Sequence, residues 1–265
     1  MQFDIKKLHS VEIEILKAFV EFCEKKKISY FLIGGSALGA ARHNGFIPWD
    51  DDIDIGIPRS DYSKLLNIPE HELPAGCILN SFYNEKEYPY YFSKICNKNT
   101  ILEENMTSHL NFRHCIYIDI FPLDGAPDSK FLQNYHYQKI RFFKKVQNIY
   151  NGMTKKEMNI CKKVLISCIR FTFTREWLHK KLEKLSMKYK YEEQEIIANY
   201  FGSWGMREIT PKKYFGDGTK LYFENGYYNV PSDYNRYLTL LYGDYMQMPP
   251  EEKRKSHHSF KFIKF

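Results

Sequence analysis

No run of apolar residues in this 265-residue chain reaches the roughly 18 that a membrane-spanning helix requires. The N-terminal MQFDIKKLHS lacks the apolar segment of a secretory leader. The six cysteines, Cys23, Cys77, Cys96, Cys115, Cys161 and Cys168, contain no Cys-x-x-Cys pair. They read as reduced thiols, mostly in the core, and argue against a disulfide frame or a zinc site. Together these absences predict a cytoplasmic protein. There is no internal repeat and no low-complexity tract. Acids are scarce in one stretch: between Lys139 and Lys190, fifteen Lys and Arg stand against Glu157, Glu176 and Glu183, a local charge of +12. The whole chain carries +7, so the remainder carries −5. Such asymmetry suggests an anionic partner for the basic stretch. No nucleic-acid recognition motif accompanies the charge, so nucleic acid is not the expected partner.

What is present suffices for a sizeable core, with 43% hydrophobic residues in a chain long enough for one large domain or two small ones. Val11, Ile15, Phe19 and Phe22 recur at helical spacing, with Ser10 as the expected N-cap. Tyr30–Ile33 reads as a buried strand stopped by Gly34-Gly35, and Ser36 as the cap of a helix reaching His43. Ile53–Ile57 reads as a strand ended by Pro58, followed by a helix from Ser60-Asp61 to about Leu66. Tyr90–Ile95 and Cys115–Phe121 read as further strands, the second closed by Pro122 and followed by a turn through Leu123-Asp124-Gly125-Ala126-Pro127. From Ser129 to Tyr191 the pattern is helical and basic, broken near Asn151-Gly152. Beyond Thr210 it is rich in Tyr, Gly and Pro and reads as irregular.

The stretch GGSALGAARHNGFIPWDDDIDIGI, Gly34 to Ile57, carries the chemistry. Asp52 and Asp54 alternate with Ile53, Ile55 and Ile57, so the isoleucines enter a core while both acids project from the other face, about 7 Å apart at Cα. Carboxylates so close repel unless a cation lies between them. Asp50, Asp52 and Asp54 also match the start of an EF-hand, but its sixth position is Ile55 and its twelfth Asp61. Strand, Gly-Gly-Ser, helix and an acid-hydrophobic-acid strand form the nucleotidyltransferase arrangement. The glycines admit a phosphate to the backbone and the helix start favours an anion. Asp119, alone among Ile116–Phe121 hydrophobes, is the expected third carboxylate. Asp50 shares the parity of Asp52. Asp51 reads as a loop acid that deepens the negative field, and Asp124 as a turn former.

GGSALGAARHNGFIPWDDDID, then IDIFPLDG, then YGDYMQMPPEEKRKSHHS resemble the LicD family of phosphocholine transferases, whose distant relatives include fukutin and fukutin-related protein. The resemblance implies an α+β, nucleotidyltransferase-like mixed sheet flanked by helices. It implies transfer of phosphocholine from CDP-choline, or a related CDP-alcohol such as ethanolamine or ribitol, to a glycan hydroxyl, with CMP leaving. It makes Asp52 and Asp54 ligands of Mg²⁺ or Mn²⁺ and Asp119 the third ligand or the base. Gly35 and Ser36 become the phosphate turn, and Lys94 and Arg42 candidate diphosphate contacts. Trp49 and the C-terminal Tyr227, Tyr228, Tyr242 and Tyr245 offer faces for a quaternary ammonium. His257-His258 falls in the third motif and reads as a polar surface pair. The expected layout is a catalytic core over 1–128, a basic helical region over 129–209 and a C-terminal segment over 210–265 packed on the core. In the helical region Ile160, Val164, Cys168 and Phe171, flanked by Lys162, Lys163, Arg170 and Arg175, form a stripe that either packs inward or meets anionic membrane, where a lipid-linked glycan acceptor would lie. The rival readings are a nucleotidyltransferase passing NMP with pyrophosphate release and a glycosyltransferase using Asp52-Ile53-Asp54 as its metal motif.

Overall fold

A computed structural model describes residues 4–153, 160–256 and 258–265 of the chain. Helix α1 (Ile5–Lys26) opens at Asp4, whose carboxylate accepts from the Lys6 and Lys7 amides, rather than at Ser10. The reason is Leu8, which is fully buried and extends the apolar face a turn upstream. The helix closes on Lys27 in the left-handed region.

Five of the seven strands of the main sheet lie on one path: β1 (Phe31–Leu32), β2 (Asp54–Pro58), β3 (Cys77–Asn80), β4 (Ser93–Asn97) and β6 (Tyr117–Ala126). Their order is β1-β2-β6-β4-β3, parallel only between β2 and β6. Strand β5 (Ile101–Glu104) lies off this sheet. The run ending at Phe121 does not stop at Pro122 as expected. Strand β6 continues to Ala126 and pairs antiparallel with β7 (Ile196–Ala198), which pairs with β8 (Ile209–Pro211). Strand β4 pairs with β6 no further than Ile120, and β7 joins it only at Asp124. Pro122 falls between the two pairings, where its missing N–H breaks no ladder on that side.

Helices α2 (Gly34–His43) and α3 (Arg59–Leu66) flank β2. The basic stretch forms α4 (Lys130–Tyr150), α5 (Ile160–Thr172) and α6 (Arg175–Ser186). The C-terminal segment is more ordered than its composition suggests. Strands β9 (Thr219–Phe223) and β10 (Gly226–Val230) make a hairpin, followed by α7 (Tyr234–Tyr242). Strand β11 (Phe260–Lys264) pairs with β5. Alternation explains the hairpin: Phe223, Tyr228 and Val230 are buried while Tyr222 and Tyr227 face out. The result is the expected α+β class, and no helix among the described residues is long and apolar enough to cross a membrane.

Candidate active site

Strand register builds the centre of the site. Parallel pairing sets Asp54 beside Asp119, and antiparallel pairing sets Lys94 on the other flank of Asp119. Side chains opposite one another on neighbouring strands share a face. The Asp119 amide donates to the Ile53 carbonyl at 2.8 Å, fixing the register where the acidic string enters the strand. Carboxylate oxygens of Asp52, Asp54 and Asp119 lie within 4.8 Å of one another. The expected trio therefore converges.

The electrostatics are those of a site short of positive charge. Burial, then Asp52 and Asp119, hold the Asp54 carboxyl well above its usual range. Burial pushes Asp119 up to about 6, with Lys94 opposing and Asp52 reinforcing. Burial and the charges of Asp52 and Asp51 push Asp50 up to about 8. Glu12 of α1, fully enclosed, is raised by burial and by four of these aspartates, and its Oε2 has no hydrogen-bond partner. Lys94 Nζ lies 3.2 Å from Asp119 Oδ1 and 3.5 Å from Glu104 Oε1. It also lies 3.1 Å from the centre of the Tyr117 ring. Burial would lower this ammonium, but Asp119 and Glu104 outweigh it and hold it charged. Even so, Asp119 Oδ1 accepts no well-aligned hydrogen bond. Three crowded carboxylates, two of them held above their usual range, form an all-oxygen donor set that suits a hard divalent cation such as Mg²⁺ or Mn²⁺.

The Gly-Gly-Ser turn lies directly against the acidic string. A Cβ on Gly35 would lie 2.5 Å from Asp50 Oδ2, and one on Gly34 3.0 Å from Asp54 Oδ2. The glycines thus make room for the protein's own carboxylates. Gly34 needs its freedom for a second reason, a φ of +53°. Ser36 is not the helix cap, which is Ile33. It is buried, and its hydroxyl accepts from the Asp54 amide at 2.8 Å, tying α2 to β2. The Gly34 amide donates to the Tyr237 hydroxyl at 3.0 Å. Arg42 donates to the carbonyls of Tyr245 (2.7 Å) and Gln247 (3.3 Å), so its guanidinium holds the C-terminal segment. Trp49 lies edge-on to His43 with the Arg254 guanidinium 5.7 Å above its ring.

Asp51 groups with Asp52 and His258, their ligand atoms within 4.8 Å of one another. It accepts from the Ser256 hydroxyl and from the His258 amide at 3.2 Å, and pairs with His258 Nδ1 at 3.0 Å. His258 also lies 3.9 Å from Asp52 Oδ2. Burial would lower this imidazole, but Asp51 and Asp52 raise it to about 9. His258 is therefore a cation held at the acidic cluster, not a solvated surface residue, and His257 lies outside the described residues. Asp124 does not shape a turn. It is fully buried and makes a two-pronged pair with Arg59 at 2.6 Å on each arm. Of the C-terminal tyrosines, Tyr228 is core and Tyr227 faces solvent. The Tyr245 hydroxyl bonds Asn235, and Tyr242, raised by burial and by Glu208, Asp54 and Asp50, packs on Trp204. Sequence reasoning missed Glu12, Glu104 and the part played by His258. A signal for Glu12 existed: it sits four residues from Leu8 and from Leu16, on a face that is otherwise apolar.

Residues 27–179 match the model of the LicD/FKTN/FKRP nucleotidyltransferase domain. The chain belongs to this family. The lipopolysaccharide cholinephosphotransferase LicD of Haemophilus influenzae is 30% identical over 93% of this chain and 92% of its own length. Human ribitol 5-phosphate transferase FKRP is 48% identical over 48 residues, 18% of this chain and 10% of that protein. An uncharacterized protein of Rickettsia prowazekii is 30% identical over 49% of this chain and 46% of its own. At 93% of the chain, the LicD match spans the trio and the Gly-Gly-Ser turn.

Proposed function

We propose that this LicD-family enzyme transfers phosphocholine from CDP-choline to a hydroxyl of a cell-surface glycan, of lipopolysaccharide, teichoic acid or capsule type, and releases CMP. One observation carries the reading: three carboxylates converge within 4.8 Å in a chain that matches a lipopolysaccharide cholinephosphotransferase along nearly its whole length. Asp52, Asp54 and Asp119 would hold Mg²⁺ or Mn²⁺, which when bound neutralises diphosphate oxygens. The acceptor hydroxyl, its proton passing to a base such as Asp119, attacks the phosphorus that carries choline, and the bond to the CMP oxygen breaks on the opposite side. Lys94 positions Asp119 through their buried contact, and Glu104 holds Lys94 from behind. Choline has no N–H to donate, so its head group needs aromatic faces. Trp49, beside the acidic string, and the C-terminal tyrosines are the candidates. The described cysteines are free thiols, in keeping with a cytoplasmic location.

The deciding experiment offers CDP-choline, CDP-ethanolamine and CDP-ribitol separately, with Mg²⁺ or with EDTA, to a cell-envelope glycan fraction. CMP release and a phosphocholine mass on the glycan, seen with CDP-choline and abolished by EDTA, are expected. Turnover of CDP-ribitol instead would place the chain with the FKRP branch. Pyrophosphate release from a nucleoside triphosphate would replace the reading with nucleotidyl transfer.

A further inference from the structure

We propose that the basic helical region docks the enzyme on an anionic lipid bilayer through the outward face of α5. Soluble proteins scatter exposed apolar side chains singly, and a cluster on one face marks a contact surface. Ile160, Val164 and Phe171 fall on one side of α5 at helical spacing, and they are 80%, 57% and 95% exposed. Leu165 beside them is 47% exposed. Ile166, on the other side, is buried, and α5 packs on α4. The helix therefore turns part of its apolar surface to solvent although it has a partner for the rest. The inward-packing reading of this stripe is set aside.

The patch continues onto neighbouring helices. Phe142 of α4 (60% exposed) meets Phe143, Phe143 meets Trp177 of α6 at 6.0 Å, and Trp177 stacks on Phe173 at 4.9 Å, two residues from Phe171. Charge selects the occupant. Exposed Arg141, Lys163 and Arg170 are the chain neighbours of Phe142, Val164 and Phe171, within the segment that carries +12. Protein interfaces are depleted of lysine, whereas apolar side chains bordered by Lys and Arg suit the headgroup–acyl boundary of an anionic leaflet. A second copy seated face to face would bring two +12 segments together.

Flotation with phosphatidylcholine vesicles, with and without phosphatidylglycerol, tests this at low and high salt. Binding to the anionic vesicles only, weakened by salt, is expected. The Val164→Ser/Phe171→Ser double variant should bind about tenfold more weakly or worse, and Lys163→Glu should also weaken binding. These positions are exposed, so the thermal midpoint and transfer to a soluble acceptor should not change. No flotation at low salt would overturn the proposal, as would flotation that Val164→Ser/Phe171→Ser leaves intact. A dimer in sedimentation that the double variant converts to monomer would assign the face to a second copy instead. Because transfer to a soluble acceptor is read separately, failure here leaves the phosphocholine assignment standing.

Discussion

Lys94 and Asp119 lie side by side with only 4% and 7% of their side chains exposed, so neither charge has water to fall back on. Replacing one partner of such a pair strands the other in a low dielectric. Lys94→Met should cost about 3–5 kcal/mol of stability, seen as a lower urea midpoint. Asp54→Asn should behave in the opposite way. It relieves like-charge crowding that raises the Asp54 carboxyl, so the metal-free protein should melt at the same temperature or higher. Its transfer rate should fall by about a hundredfold or more. A variant that lost both stability and activity would mean Asp54 is structural. Asp52, Asp54 and Asp119 were legible because a carboxylate on the polar parity of a strand, or alone among isoleucines, needs a reason to be there. His258 was not, because its partner Asp51 lies 207 positions away, and Glu104 was not, because only the folded sheet brings Tyr90, Lys94 and Tyr117 around it.

At the level of elements, the largest departure from expectation is β6. Proline and the Leu-Asp-Gly-Ala-Pro string are ordinary turn signals, yet the strand passes through them. What sequence cannot display is that one neighbour ends at Ile120 and another begins at Asp124. The Arg59–Asp124 pair holds this second half of β6 to the start of α3, with 11% and 1% of the two side chains exposed. Arg59→Met should therefore destabilise by about 3–5 kcal/mol, and hydrogen exchange should quicken first in β7 and the end of β6. Equal exchange in wild type and variant would show that the pair does not hold the elements together. The C-terminal hairpin was hidden for a related reason. Its tyrosines alternate between core and solvent, but a tract with so many aromatic rings blurs the period.

Taken as a whole molecule, the enzyme should lose stability in mild acid by a route independent of the carboxylates. His179 of α6 stacks on Phe82 at 3.6 Å, its Nδ1 has no partner, and burial lowers its pKa to about 4. The unfolded chain takes up this proton first. Stability from this group is thus intact above about pH 6.5, the ordinary histidine value, and is lost as pH falls to about 4. The loss approaches about 3 kcal/mol. His179→Phe should flatten that limb in melts recorded from pH 7 downwards, and an unchanged slope would assign it elsewhere.

The pairing of Asp51 with His258 spans 207 positions of sequence. During synthesis the ribosome delivers the acidic string long before the imidazole that faces it. At about 5–20 residues per second, roughly 10–40 s separate the two. Through that interval the nascent chain carries a knot of like charges without its C-terminal counter-ion, so completion of the acidic cluster waits for the end of synthesis. Maturation of the site is then timed by translation itself, and slow codons between the hairpin and β11 would lengthen the period in which the enzyme exists but has no finished centre.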